Sequence, residues 1–205
     1  SLLQMEKLPC MFEWIYFAGA ESKIEGKSVY ETRLNLGREL AGKVIDAGAR
    51  EEIDIVVPVP DTSRASAIAM SESLDIPYRE VLIKNRYVQR SFIENGQDRR
   101  KMTVNLKFNV IREQVEGKNI LLVDDSIVRG TTSQKIVKLL KDHGANKVYL
   151  ASTCPPIISP CFYGIDFPTK SELVAASRTD KELESYLNVE KVFYNDISNL
   201  HEALG

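Results

Sequence analysis

Residues 119–132 read Asn-Ile-Leu-Leu-Val-Asp-Asp-Ser-Ile-Val-Arg-Gly-Thr-Thr. Ile120, Leu121, Leu122 and Val123 form an apolar run too short for a helix, the pattern of a strand buried on both faces. Two acids, Gly130 and two threonines separate this strand from residues 131–143. There Ile136, Leu139 and Leu140 recur at helical spacing, and Gly144 stops the helix. Residues 147–152 read as a strand again. Strand, helix and strand in that order predict parallel pairing through a right-handed crossover.

The same alternation occurs upstream. Residues 53–59 are apolar and β-branched and are closed by Pro58 and Pro60. Residues 61–73 carry Ala65, Ile68 and Ala69 on one helical face, and 78–83 suit a second strand. Before them, residues 28–49 form a long helix: Ser28 with Glu31 makes a capping box, Leu34, Leu40 and Val44 supply the apolar stripe, and Gly48 lies near the end. Beyond Pro160 come short helices at 171–176 and 180–187, a strand at 191–194 and a last helix from Ser198. Residues 84–107 lose all period and gather basic side chains, the mark of a long flexible loop of the kind that often serves function. The fold class is α/β, with a mostly parallel open sheet and helices on both faces.

Composition narrows the function. The chain has 205 residues, 43% hydrophobic and 27% charged, enough for one large domain and too apolar for global disorder. Lys and Arg number 27 against 29 Asp and Glu, a net charge of −2, which argues against a nucleic-acid partner held by bulk electrostatics. Cys10, Cys154 and Cys161 are odd in number and widely spaced, matching neither a disulfide framework nor a CxxC metal knuckle. No eighteen-residue apolar run and no basic-then-apolar leader occurs, so the expectation is a cytoplasmic protein with no membrane partner.

Open α/β sheets bind ligands at the carboxyl ends of their strands. Two such ends carry related sequences: Asp124 to Thr132, and Pro60-Asp61-Thr62-Ser63-Arg64. Gly130 permits a tight turn, Thr131 and Thr132 offer hydroxyls, and the following helix presents unpaired N–H groups to an anion. Neither a Walker loop nor a GxGxxG is present. Acids beside a phosphate cradle repel phosphate, but they accept hydrogen bonds from sugar diols and ligate Mg²⁺. An isolated Asp-Asp pair would more often only open a turn; set between a buried strand and a helix, the whole run favours the ligand reading. His143 at a helix end and His201 on the last helix read as structural and surface residues. Trp14, Tyr16 and Phe17 alternate as in a strand or packed connector.

Residues 120–132 resemble the phosphoribosylpyrophosphate (PRPP) signature of the type I phosphoribosyltransferases. Lys84-Asn85-Arg86-Tyr87-Val88-Gln89-Arg90-Ser91-Phe92-Ile93 is similar to the flexible loop of the glutamine PRPP amidotransferase family, as are Cys161 to Asp166 and Phe12 to Ala18. The resemblance runs from about Cys10 to the end. It implies a type I phosphoribosyltransferase-like domain over 28–205 and, over 1–27, a connector following a glutaminase domain that these residues do not contain.

The implied reaction is attack of ammonia on the anomeric carbon of PRPP, releasing pyrophosphate and giving 5-phosphoribosylamine. By the same resemblance, Asp124 and Asp125 hold the ribose hydroxyls and place Mg²⁺. Ser126, Ile127, Val128, Arg129, Gly130, Thr131 and Thr132 cradle the 5′-phosphate. Asp61, Thr62 and Ser63 form the pyrophosphate loop, with Ser63 a further Mg²⁺ contact. Lys84, Arg86, Tyr87 and Arg90 belong to a lid over pyrophosphate. Implied partners are a glutaminase domain or subunit, purine nucleotide inhibitors and further copies of the chain. Some relatives hold an iron–sulfur cluster on four cysteines; Cys10 and Cys161 match two of those positions, and two ligands will not hold a cluster. Two other readings compete. A nucleobase phosphoribosyltransferase needs an aromatic base pocket, for which Phe162, Tyr163 and Phe167 are the candidates, and a PRPP-binding regulator would bind without turnover.

Overall fold

The computed structural model describes residues 10–84, 108–161, 165 and 169–204. In chain order these carry β1 (Lys23–Ile24), β2 (Lys27–Ser28), α1 (Val29–Asp46), β3 (Ile55–Pro58), α2 (Arg64–Leu74), β4 (Leu82–Lys84) and β5 (Phe108–Val110). There follow α3 (Arg112–Val115), β6 (Asn119–Asp124), α4 (Thr131–Asp142), β7 (Lys147–Ser152), α5 (Asp180–Leu187), β8 (Val192–Tyr194) and α6 (Ile197–Leu204). Four strands pair in the order β3-β6-β7-β8, every pair parallel. Val57 sits opposite Leu122, and Leu122 opposite Leu150. Tyr78 adds a parallel bridge on the outer side of Val56.

Alternation along these strands divides the core in two, because successive side chains leave a strand on opposite faces. Ile55, Val57, Ile120, Leu122, Val148 and Leu150 pack with Ile136, Val137 and Leu140 of α4 and with Leu183 and Leu187 of α5. Val56, Leu121, Val123, Tyr149, Ala151 and Phe193 pack on the other side, against Leu40, Ala41 and Val44 of α1 and Ala67, Met70 and Leu74 of α2. A doubly wound sheet follows directly. A third cluster, with Phe12, Ile15, Leu36, Cys154 and Leu173, joins the N-terminal residues to the carboxyl edge of the sheet.

Local details depart from the sequence reading in a few places. Ser28 caps α1 as expected, its hydroxyl accepting from the Glu31 N–H at 3.3 Å. The buried stripe of α1, however, runs through Val29, Arg33, Leu36, Leu40 and Val44, and Leu34 is only half-buried. Leu139 likewise yields its expected core place on α4 to Val137. Residues 61–63 form a turn, so α2 begins at Arg64. The strand expected over 78–83 is split between the Tyr78 bridge and β4, which pairs antiparallel with β5. Glu13–Phe17 is a π-helical turn rather than a strand; it buries Trp14 and leaves Tyr16 and Phe17 exposed. The loop expected over 84–107 lies, apart from Lys84, outside the described residues.

That turn is fastened to α1 by a buried arginine. Arg33 is 4% exposed and donates from Nε to the Trp14 carbonyl at 2.9 Å and from Nη2 to the Ala18 carbonyl at 2.8 Å. One helical turn further on, Gly37 lets α1 and α2 touch backbone to backbone. A Cβ at Gly37 would lie 2.3 Å from the Ser66 carbonyl oxygen and 2.8 Å from its Cα, atoms that cannot rotate away. Gly37→Ala is therefore expected to destabilise the fold by at least about 2 kcal/mol, the cost of forcing two packed helices apart. Urea unfolding of the two proteins checks this, and a change within about 0.5 kcal/mol would contradict the close-approach account.

Candidate active site

The carboxyl ends of β3 and β6 are joined by the Val59 N–H donating to the Val123 carbonyl at 2.8 Å and, beyond the strands, by a side-chain hydrogen bond. Thr62, in the turn after β3, donates its hydroxyl to Oδ2 of Asp125, directly after β6. Two segments that the sequence singled out independently are thus parts of one site. The turn itself carries a cis Pro60–Asp61 peptide.

Asp124 ends β6 with 8% of its surface exposed, and its Oδ1 accepts the Asp125 N–H at 2.9 Å. Burial, helped by the neighbouring Asp125 charge, pushes the Asp124 carboxyl well above the usual carboxylate range. Asp125 is half-buried; besides the Thr62 bond, its Oδ1 accepts from the Ser126 hydroxyl at 2.7 Å. Two adjacent carboxyls, one desolvated, form a site suited to sugar hydroxyls or to a hard cation. No cluster of three or more His, Cys, Asp or Glu occurs among the described residues, so a cation here would complete its shell with substrate oxygens and water.

The segment 126–132 is held from both ends. Ile127 is buried in the core with Ile136 and Leu187, and the Val128 carbonyl accepts the Val174 N–H at 2.9 Å. Arg129 pairs with Glu172 at 2.7 Å. Gly130 stands at φ +72°, and a Cβ there would press on Leu187 and Tyr186 at 3.1 Å, so this turn admits only glycine without strain. Gly130 precedes α4 with no side chain to cap it, and Thr131 and Thr132 are exposed. The first turn of α4 therefore has no side-chain cap, an arrangement that can receive an anion.

In the turn after β3, Asp61 accepts from Lys84 and pairs with Arg64 at 2.8 Å. The Lys84 hydrogen bond is the main reason the Asp61 carboxyl titrates below its ordinary value. Arg64 also meets Glu80 at 3.1 Å, and Glu80 accepts from the Tyr78 hydroxyl at 2.8 Å. Ser63 is placed differently from the expectation of a metal contact: it is 1% exposed and its hydroxyl turns inward to the Val59 carbonyl. Arg86, Tyr87 and Arg90 lie outside the described residues. Cys10 and Cys161 are half-buried on the third cluster, whereas Cys154 is fully buried and its thiol is pushed far up by desolvation. His143 donates to or accepts from nothing at the site; its Nδ1 lies 2.8 Å from the Leu139 carbonyl, and His201 is exposed.

Two residues at the site escaped the sequence reading. Thr153, after β7, gives its N–H to the Asp124 carbonyl at 3.1 Å and its hydroxyl to the Asp125 carbonyl at 3.1 Å. Asn195, after β8, donates to the Thr153 carbonyl at 3.1 Å. The rule that directed attention to the ends of β3 and β6 applies equally to β7 and β8, and it would have found both.

The raised Asp124 titration has a signed consequence for the ligand-free protein. A carboxyl whose folded pKa lies above its unfolded value lends most stability while protonated, and that contribution is lost as pH rises from about 4 through the folded pKa. Asp124→Asn, which keeps the shape and removes the charge, should melt above wild type at pH 8, with the gap closing toward pH 4. Equal melting temperatures at pH 8 would show that the buried charge is not a source of instability.

Comparison with known proteins agrees with this geometry. The phosphoribosyl transferase domain family matches residues 27–160. An amidophosphoribosyltransferase from Methanothermobacter thermautotrophicus is 48% identical over 196 residues, covering 96% of this chain and 40% of that protein. Those of Escherichia coli and Saccharomyces cerevisiae are 43% and 45% identical, over 96% and 94% of this chain and 39% and 38% of theirs. The glutamine PRPP amidotransferase of Bacillus subtilis, solved in complex with ADP and GMP, superposes with a TM-score of 0.84 at 42% identity, covering 96% of this chain and 42% of its own. The chain thus spans about two-fifths of the length of the curated relatives it matches. With the family match taking in β3, β6, β7 and both loops of the site, the chain belongs to the phosphoribosyl transferase domain family.

Proposed function

We propose that this chain carries the transferase half of a glutamine PRPP amidotransferase: ammonia attacks the anomeric carbon of PRPP, pyrophosphate leaves, and 5-phosphoribosylamine forms, as the first committed step of purine synthesis. The observation that supports the reading is the Thr62–Asp125 hydrogen bond, which brings the acid pair beside a second strand-end loop. High similarity to named amidophosphoribosyltransferases supports it.

In this reading Asp124 and Asp125 accept hydrogen bonds from the ribose hydroxyls, and the N–H groups before and within the first turn of α4 hold the 5′-phosphate. Asp61 to Ser63 form the wall beside the pyrophosphate, where Lys84 and Arg64 supply positive charge to the departing group. Fixing the sugar at both ends removes most of the entropy of bringing the anomeric carbon to the nucleophile. The charge developing on pyrophosphate is met by groups already in place. Ammonia arrives with its lone pair free, so no general base is needed. Asp124 and Asp125 offer the oxygen donors that would hold Mg²⁺, which would supply charge neutralisation to the leaving pyrophosphate. Nucleotides, which share the ribose 5′-phosphate, fit the same cradle as inhibitors. A glutaminase portion of the whole protein would supply the ammonia, in the cytoplasm.

Pyrophosphate release from PRPP and Mg²⁺ is the direct test, run at alkaline pH with ammonium, with glutamine and with a purine base in turn. Turnover with ammonium alone is expected; turnover only with the base would establish a nucleobase transferase, and tight PRPP binding without turnover a regulator. Asp124→Asn with Asp125→Asn should weaken PRPP binding at least about 100-fold, since two charge-assisted hydrogen bonds are each worth about 1.5–3 kcal/mol. Lys84→Ala should lower kcat about tenfold while leaving ribose 5-phosphate binding intact. Normal PRPP affinity in the double variant would refute the assigned site.

A further inference from the structure

We propose that Thr153 and Asn195 are positioning residues: through two successive peptide groups they fix the backbone of Asp124, Asp125 and Ser126, and with it the direction in which the acid pair and the phosphate loop face the ligand. The proposal rests on the reading of this site as the PRPP site.

The relay begins at Asn195, just past β8 and 1% exposed. Its Nδ2 donates to two carbonyls, Leu36 on α1 and Thr153, each at 3.1 Å. Both partners can only accept, so the amide nitrogen must face them. The Thr153 carbonyl belongs to the same peptide group as the Cys154 N–H, which donates to the Asp125 carbonyl at 2.9 Å. The Asp125 carbonyl in turn shares its peptide with the Ser126 N–H. Both peptides are trans, so each N–H points opposite to its carbonyl. Holding the Asp125 carbonyl toward β7 therefore turns the Ser126 N–H away from β7, at the head of the phosphate-binding segment.

Thr153 doubles the grip. Its N–H holds the Asp124 carbonyl and its hydroxyl holds the Asp125 carbonyl, both at 3.1 Å. The Ser152 hydroxyl pins the next link by donating to the Cys154 carbonyl at 2.9 Å. Hydrogen bonds in series through peptide groups polarise one another, so each donor along such a chain is strengthened. Oδ1 of Asn195 is buried and has no hydrogen-bond partner among the described residues, so the amide is held through its nitrogen.

The test compares wild type with Thr153→Val, Thr153→Ser and Asn195→Leu in the full chain. Calorimetric binding of PRPP with Mg²⁺ and steady-state kinetics with ammonium are measured beside thermal melts. Thr153→Val is close to isosteric and should fold. Thr153→Val and Asn195→Leu are expected to weaken PRPP binding about tenfold, as loss of an outer hydrogen bond to a ligating group does, with the loss falling on KM for PRPP. Thr153→Ser restores the hydroxyl and should return binding to within about twofold of wild type. Wild-type affinity in Thr153→Val and Asn195→Leu, or equal losses in Thr153→Ser and Thr153→Val, would overturn the relay. If wild type itself fails to bind PRPP, the functional reading falls separately, and amide exchange decides the relay without ligand. Exchange at Cys154 should be about tenfold faster in Asn195→Leu, relative to amides in α4, and unchanged exchange would overturn it.

Discussion

Strand β6 has no exposed side. Strands flank it on both edges, α1 and α2 cover one face, and α4 and α5 cover the other. A strand so enclosed can carry polar side chains only at its ends, because a buried polar group without a partner costs more than the fold can spare. Its first polar residues after four apolar ones are Asp124 and Asp125. The position of the site is therefore a consequence of the burial of the strand: chemistry begins where the core stops.

The same enclosure explains how much was legible beforehand. Ile120 to Val123 and Ile55 to Val57 announce themselves by composition, and the acids and glycine that follow are local in sequence, so both loops of the site could be read directly. The two-sided core could also be foreseen, since period 2 along a parallel strand feeds both faces. Leu36 was legible too: it stands at i, i+4 spacing with Leu40 and Val44, where Leu34 does not, and it is the one that is covered. What stayed hidden depends on tertiary contact. Arg33 reads as a surface charge, yet two carbonyls from residues 14 and 18 make it a buried fastening. Ser63 looks like a ligand by type, and only its orientation shows that the hydroxyl serves the turn.

The ligand-free site is built against its own stability. Asp124 is desolvated beside a second carboxyl, and first-turn N–H groups of α4 lack a side-chain cap. Each is an electrostatic demand that one class of ligand would answer: a hard cation or hydroxyls for the acids, an anion for the helix. Local rules of good folding are broken together, at one place, in complementary senses. Around this point the surroundings are over-determined, with Ile127 in the core, Gly130 in a conformation only glycine takes easily, and Arg129 paired to Glu172.

The pairing of Thr62 with Asp125 spans 63 positions of the chain, whereas the partners Asp124 and Ser152 on β6 and β7 stand much closer in sequence. Closing the longer loop costs more chain entropy, so the β6–β7 pairing is favoured to form first and the β3 pairing later. The halves of the site then have different histories. The acid pair, the turn through Gly130 and α4 are products of a nearby strand–helix–strand unit, while the Asp61–Ser63 turn joins them only when a distant strand docks. A partly folded chain could present the acid pair and the first turn of α4 without the second loop that faces them. An assembled site thus becomes a report on completion of the whole sheet.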